Sequence, residues 1–124
     1  IEATQKLVAR ISEVGNVDVE FVCHNMDKSL GNSLEIHLFR TIQELLSNML
    51  KHANATEATV SLTGYEDYID ITVEDNGNGF SRDMQTSGLG LSAIASKTEA
   101  FSGTFAVDSS PGNGTTINIE IPYT

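Results

Sequence analysis

The segment Leu38-Phe39-Arg40-Thr41-Ile42-Gln43-Glu44-Leu45-Leu46-Ser47-Asn48-Met49-Leu50-Lys51-His52-Ala53 decides the fold. Leu38, Phe39, Ile42, Leu45, Leu46, Met49, Leu50 and Ala53 recur at i, i+3 and i+4, the spacing of one buried helical stripe. Gly31-Asn32-Ser33 precedes it as the expected cap. With Glu44 at zero and about 100° per residue, Asn48 falls near ~40° and Lys51 near ~−20°, against a stripe centred near ~160°. Glu44, Asn48 and Lys51 are therefore expected on one face, opposite the core. Such a face is ordinarily just solvated. Asn48 stands out, because Asn is a mediocre helix former and its side-chain oxygen suits Mg²⁺.

Outward from this helix the pattern alternates between helical and strand periods. Residues Glu2 to Val14 read as a helix, Gly15-Asn16 as a break, and Val17 to Cys23 as a strand. Ala58 to Thr63 and Tyr68 to Val73 read as strands joined by the hairpin Gly64-Tyr65-Glu66-Asp67. A polar loop from Asn76 to Gly88 leads into a helix from about Leu89 to Phe101, with Ser102-Gly103 as a glycine stop. Strands Phe105 to Asp108 and Thr115 to Ile121 flank the turn Ser110 to Gly114. This order predicts an α+β two-layer sandwich, with a mixed, mostly antiparallel sheet of about five strands covered by three helices. The 124 residues suit one domain, 1–124, and the chain opens abruptly inside a helical pattern, as a piece of a longer protein would.

Seven Lys and Arg against 17 Asp and Glu give a net charge of −10, which argues against general attraction to nucleic acid or anionic membrane. No apolar run approaches the roughly 18 to 20 residues of a membrane span, and no signal pattern opens the chain. The single Cys23 cannot form an internal disulfide, which fits a reducing compartment, and it reads as a small apolar strand residue.

Chemistry enters at the strand ends. Ile69, Ile71 and Val73 are the apolar members of their strand, so a period of two carries Asp75 to the inner face while Asp70, Thr72 and Glu74 face out. An inward carboxylate needs hydrogen-bond donors, and few cations are at hand. Two readings stay open: a ligand amine such as that of adenine, or an Asp-Asn-Gly turn in which the side chain bonds local backbone amides. Ile117, Ile119 and Ile121 put Thr115 inward in the same way. Gly88-Leu89-Gly90-Leu91-Ser92-Ala93 formally matches the dinucleotide fingerprint, but a polar loop rather than a strand precedes it, so the context fails. The same glycines still suit the approach of phosphates to a helix amino terminus. His24, His37 and His52 are too scattered for a metal site, and no Ser, His and Asp arrangement suggests an acyl-transfer triad.

Taken together, these motifs resemble those of the ATP-binding catalytic domain of bacterial sensor histidine kinases, within the GHKL ATPase superfamily. Arg40 to Ala53 is similar to the asparagine box, in its Lys-His-Ala version. Val73-Glu74-Asp75-Asn76-Gly77-Asn78-Gly79-Phe80 resembles the first glycine box, Ser87-Gly88-Leu89-Gly90-Leu91 the second, and Gly112-Asn113-Gly114-Thr115-Thr116 the closing Gly-Thr element. The interval between Gly79 and Gly88 is short and carries no phenylalanine box, as in the Lys-His-Ala kinases.

The resemblance implies that Asp75 binds the adenine amine and Thr115 supports it through water. It implies Asn48 as the Mg²⁺ ligand, and Gly77, Gly79, Gly88, Leu89, Gly90 and Leu91 as the frame of the ATP lid. It makes Glu44 the general base or its positioner and brings Lys51 or His52 to the phosphates. The implied partners are a histidine-bearing dimerisation domain of the same protein and a response regulator, in a cytoplasmic setting with the parent protein free or membrane-anchored. No nucleic acid and no direct membrane contact are expected. An anti-sigma-factor-like serine kinase, a nucleotide-binding domain without phosphotransfer and, remotely, a dinucleotide oxidoreductase stand as alternatives.

Overall fold

The computed structural model describes residues 2–15, 17–26, 31–53, 55–78, 91–109, 112 and 114–123, with the backbone alone for Glu2, His52 and Ala53. Among them are helices α1 (Glu2–Gly15), α2 (Asn32–Asn48) and α3 (Leu91–Ala100) and strands β1 (Asp18–His24), β2 (Glu57–Gly64), β3 (Tyr68–Asp75), β4 (Thr104–Ser109) and β5 (Thr115–Pro122). The strands form one five-stranded sheet in the order β1-β2-β3-β5-β4. Only β1 and β2 run parallel; the other pairs are antiparallel. This is the expected mixed α+β sandwich.

Alternation decides which face meets the helices. Val60 and Leu62 of β2, Ile69, Ile71 and Val73 of β3, and Ile117, Ile119 and Ile121 of β5 are buried, and they join Ile42, Leu45, Leu46 and Met49 of α2 in one core. Each such aliphatic side chain contributes roughly 1.5–3 kcal/mol by leaving water. The opposite face is polar: Asn118 Nδ2 donates to Asp70 at 2.7 Å and to Thr72 at 3.0 Å.

Two helix details depart from the sequence expectation. First, the backbone leaves the α-helical winding after Asn48 and makes a π turn, Met49–Ala53. A π turn spreads its residues over a wider angle than the wheel assumes, so Leu50 leaves the buried stripe and is 37% exposed. Its side chain lies over Gly15 at the end of α1, where an added Cβ would collide with it. Second, Gly31 occupies the cap position of α2, but no side chain there makes a capping hydrogen bond; the Glu35 amide donates to the Gly31 carbonyl instead.

The end of α3 also differs in its details. Ser102, not Gly103, takes the left-handed conformation (φ 62°). The Ser102 amide donates to the Glu99 carbonyl and the Gly103 amide to the Thr98 carbonyl, a paired closure of the helix end. Gly103 is required for space: a Cβ there would meet the Glu120 carbonyl oxygen at 2.7 Å.

Helices α2 and α3 meet through His37, which is buried, stacks on Phe101 at 5.1 Å and lies 3.3 Å from the Thr98 hydroxyl. Burial, then repulsion from Lys97, lowers the His37 pKa below its ordinary value. The folded state therefore binds this proton less readily than the unfolded state, and stability is lost as pH falls below about 6.5, the ordinary histidine value. Thermal melts between about pH 8 and pH 5 should show an acid-side decline that His37→Gln flattens. An identical decline in the variant would assign the acid sensitivity to other groups.

Candidate functional site

Strand β3 delivers Asp75 to the end of the inner face, where its Cα partners are Ala58 on one side and Thr115 on the other. The cross-strand pairing of Asp75 with Thr115 is the one that the two alternating isoleucine patterns imply. Asp75 Oδ1 accepts the Gly77 amide at 2.8 Å, so the local-turn reading is realised, but it engages one oxygen. Among the described residues Oδ2 has no hydrogen-bond donor. Burial pushes the Asp75 carboxyl above the ordinary carboxylate range, and the Gly77 amide opposes this only in part. Thr115 beside it is 3% exposed.

The turn before β5 holds this corner together. Gly114 has φ +73°, and a Cβ on it would collide with the Asp75 carbonyl oxygen, so glycine is needed there on both counts. The Gly112 amide donates to the Asn78 carbonyl. Sequence reasoning gave Asn76 no role beyond the loop, yet its Oδ1 accepts the Thr56 amide at 3.0 Å and the Glu57 amide at 2.9 Å. Asn76 Nδ2 donates to the Thr56 hydroxyl at 2.9 Å. It thereby clamps the segment entering β2, just after the π turn, to the residue after Asp75. Its position in an Asp-Asn-Gly run signals a turn but not this clamp. Ser109, also missed, sits opposite Thr115 on β4, with the two hydroxyl oxygens 2.8 Å apart.

On α2 the expected common polar face divides. Glu44 and Lys51 are exposed, but Asn48 is 7% exposed and belongs to the buried side. Glu44 borders a groove of about 440 Å³ between α2 and α3, shared with Arg40, Thr41, Ala93, Ile94 and Lys97. Neither Asp75 nor Thr115 lines that groove. Leu91, the first residue of α3, is buried in the core, while the Lys51 and His52 backbones fall in the π turn. Gly79, Gly88, Leu89 and Gly90, with the fingerprint glycines among them, lie outside the described residues. Among the described residues no group of three or more His, Cys, Asp and Glu side chains converges, so a metal here would depend on oxygens of a ligand as well as on protein.

Comparison with known proteins places this geometry. A family model described as histidine kinase-, DNA gyrase B- and HSP90-like ATPase matches residues 33–124. The chain is 33% identical over 114 residues to the signal transduction histidine-protein kinase/phosphatase DegS of Bacillus subtilis, covering 87% of this chain and 30% of DegS. It is 36% identical over 107 residues to the sensor protein VraS of Staphylococcus epidermidis, covering 86% of this chain and 31% of VraS. It therefore spans about a third of the length of these curated relatives. The histidine kinase domain of the blue-light activated histidine kinase of Erythrobacter litoralis EL346 shares the fold, with a TM-score of 0.76 at 22% identity over 97% of this chain and 59% of that one. With its family model covering α2, the whole β2–β5 region and the Asp75–Thr115 corner, the chain belongs to the histidine kinase-, DNA gyrase B- and HSP90-like ATPases.

Proposed function

We propose that residues 1–124 form one catalytic unit of a sensor histidine kinase, which binds Mg²⁺-ATP and donates the γ-phosphate to a histidine on a separate dimerisation domain. A response regulator is then the onward acceptor, and the unit works in the cytoplasm, its parent protein free or membrane-anchored. No helix among the described residues is long and apolar enough to cross a membrane. The observation that carries the reading is the Asp75–Thr115 pair, a half-engaged inward carboxylate beside a buried hydroxyl at the end of the sheet. An exocyclic amine supplies the donor that Asp75 Oδ2 lacks among the described residues. Gly77, Gly79, Gly88, Leu89, Gly90 and Leu91 frame the phosphate side, and Lys51 or His52 meets the phosphates.

Asn48 suits the metal. Mg²⁺ prefers oxygen donors, keeps several waters and uses few protein ligands when phosphates supply the rest, so the side-chain oxygen of the buried Asn48 suits it. With a net charge of −10, the protein gains little by taking bare polyphosphate. Chelating the metal should therefore weaken ATP binding. In calorimetric titrations Asn48→Ala should lose about tenfold or more in affinity for ATP with Mg²⁺ and distinctly less for metal-free ADP, the difference being one charge-assisted contact. Equal losses with and without metal would remove Asn48 from the metal site.

A further inference from the structure

Thr115 is almost wholly buried, so its hydroxyl finds partners inside the protein or in a ligand. Ser109 faces it across the β4–β5 ladder with the oxygens 2.8 Å apart. Ser109 Oγ also lies 3.2 Å from the Gly114 carbonyl oxygen. A carbonyl cannot donate, so this contact is a hydrogen bond only if Ser109 directs its proton there. The 2.8 Å contact then takes its proton from Thr115. The reverse arrangement, with Ser109 donating to Thr115, turns a lone pair toward the Gly114 carbonyl and forfeits one bond. Gly114 is held in its left-handed conformation against the Asp75 backbone, so the end of this relay is fixed.

The relay from Thr115 to Ser109 to the Gly114 carbonyl has a chemical consequence. Thr115 Oγ1 presents lone pairs, not a proton, to its remaining partner. The neighbouring Asp75, when ionised, is also acceptor-only. Two acceptors in cross-strand register suit a purine with an amino group at position 6. A water that donates one hydrogen to Thr115 keeps the other for the ring nitrogen at position 1, which is an acceptor in adenine. A 6-oxo purine presents a carbonyl and an N–H at those positions and is mismatched at both.

We propose that Ser109 is a specificity-determining residue: by accepting the Thr115 proton it locks Thr115 as an acceptor, and the cleft thereby selects 6-amino over 6-oxo purine nucleotides. This rests on the adenine reading above. The test is calorimetric titration of ADP and inosine diphosphate into wild type, Ser109→Ala and Ser109→Thr. Wild type should prefer ADP. In Ser109→Ala the Thr115 proton is released to turn toward the ligand, and the preference should fall about tenfold, mainly through tighter inosine diphosphate binding, the size of one regained hydrogen bond. Ser109→Thr keeps the hydroxyl and should keep the preference. An unchanged preference in Ser109→Ala, or equal weakening of both nucleotides, overturns the proposal. A measurement on wild type alone guards against a variant that does not fold: the diphosphate of unsubstituted purine riboside should bind more tightly than inosine diphosphate. Inosine diphosphate binding as well or better overturns the lock. If wild type binds ADP no better than it binds either analogue, or not at all, the adenine reading itself falls and takes the proposal with it.

Discussion

Asp75→Asn is expected to weaken ADP and ATP binding by about one to two decades while leaving the melting temperature unchanged or higher. The affinity loss follows from the register. Asp75 is carried inward by the same alternation that buries Ile69, Ile71 and Val73, and one of its oxygens already serves the Gly77 amide. An amide in its place offers a weaker acceptor and turns a donor toward the ligand or the turn. A lost charge-assisted bond with a mismatched neighbour amounts to roughly 1.5–3 kcal/mol. The stability expectation follows from the carboxyl's raised pKa. A group raised in the folded state contributes stability that is fully present below its unfolded pKa of about 3.9 and is lost as pH rises through the folded value. At neutral pH the ionised Asp75 therefore works against the empty fold, and a neutral isostere removes that term. Calorimetric titration with a parallel melt decides the matter. Unaltered affinity would refute the adenine role, and a collapsed melt with lost binding would make Asp75 a structural residue.

The same alternation explains why the sheet side of the site was legible in the sequence. A strand has a rigid period of two, so one buried isoleucine run fixes the direction of every residue on the strand, Asp75 and Thr115 included. Their pairing then depends only on β3 and β5 being neighbours. The helix side was less legible. A wheel at about 100° per residue puts Leu38, Ile42, Leu45 and Leu46 in the core but fails for Phe39, which is half-buried and outside it, and past Asn48, where the backbone makes a π turn. Nothing local to Met49–Ala53 announces it. Asn48 was placed opposite the core because the projection knew one buried stripe, yet it is only 7% exposed. The Ser109–Thr115–Gly114 relay and the Asn76 clamp were invisible for a third reason. Both join residues by side-chain hydrogen bonds across strand ends, and serine and asparagine near turns are too common to signal it.

The largest expected effect belongs to Glu44. Its side chain is exposed and borders the groove between α2 and α3, which neither Asp75 nor Thr115 lines. A group so placed contributes little to holding the base of a nucleotide, and its carboxylate is accessible to a side chain arriving from another polypeptide. If that side chain is a histidine, the carboxylate can take or orient its proton as the imidazole attacks the γ-phosphate in line. Glu44→Ala should accordingly leave ADP affinity within about twofold and lower phosphotransfer to a histidine-bearing partner segment by roughly 10²–10⁴-fold. On the proposed reading, in which the acceptor histidine lies on a separate dimerisation domain, this chain alone should acquire no label. A radiolabelled ATP assay with acid and alkali treatment separates the outcomes, since phosphohistidine is acid-labile and phosphoserine is not. Acid-stable label on this chain, or on a serine of an added partner, would replace the histidine kinase reading with that of a serine kinase. Undiminished transfer by Glu44→Ala would leave the kinase intact and assign proton transfer to another group, with Glu44 reduced to one wall of the groove.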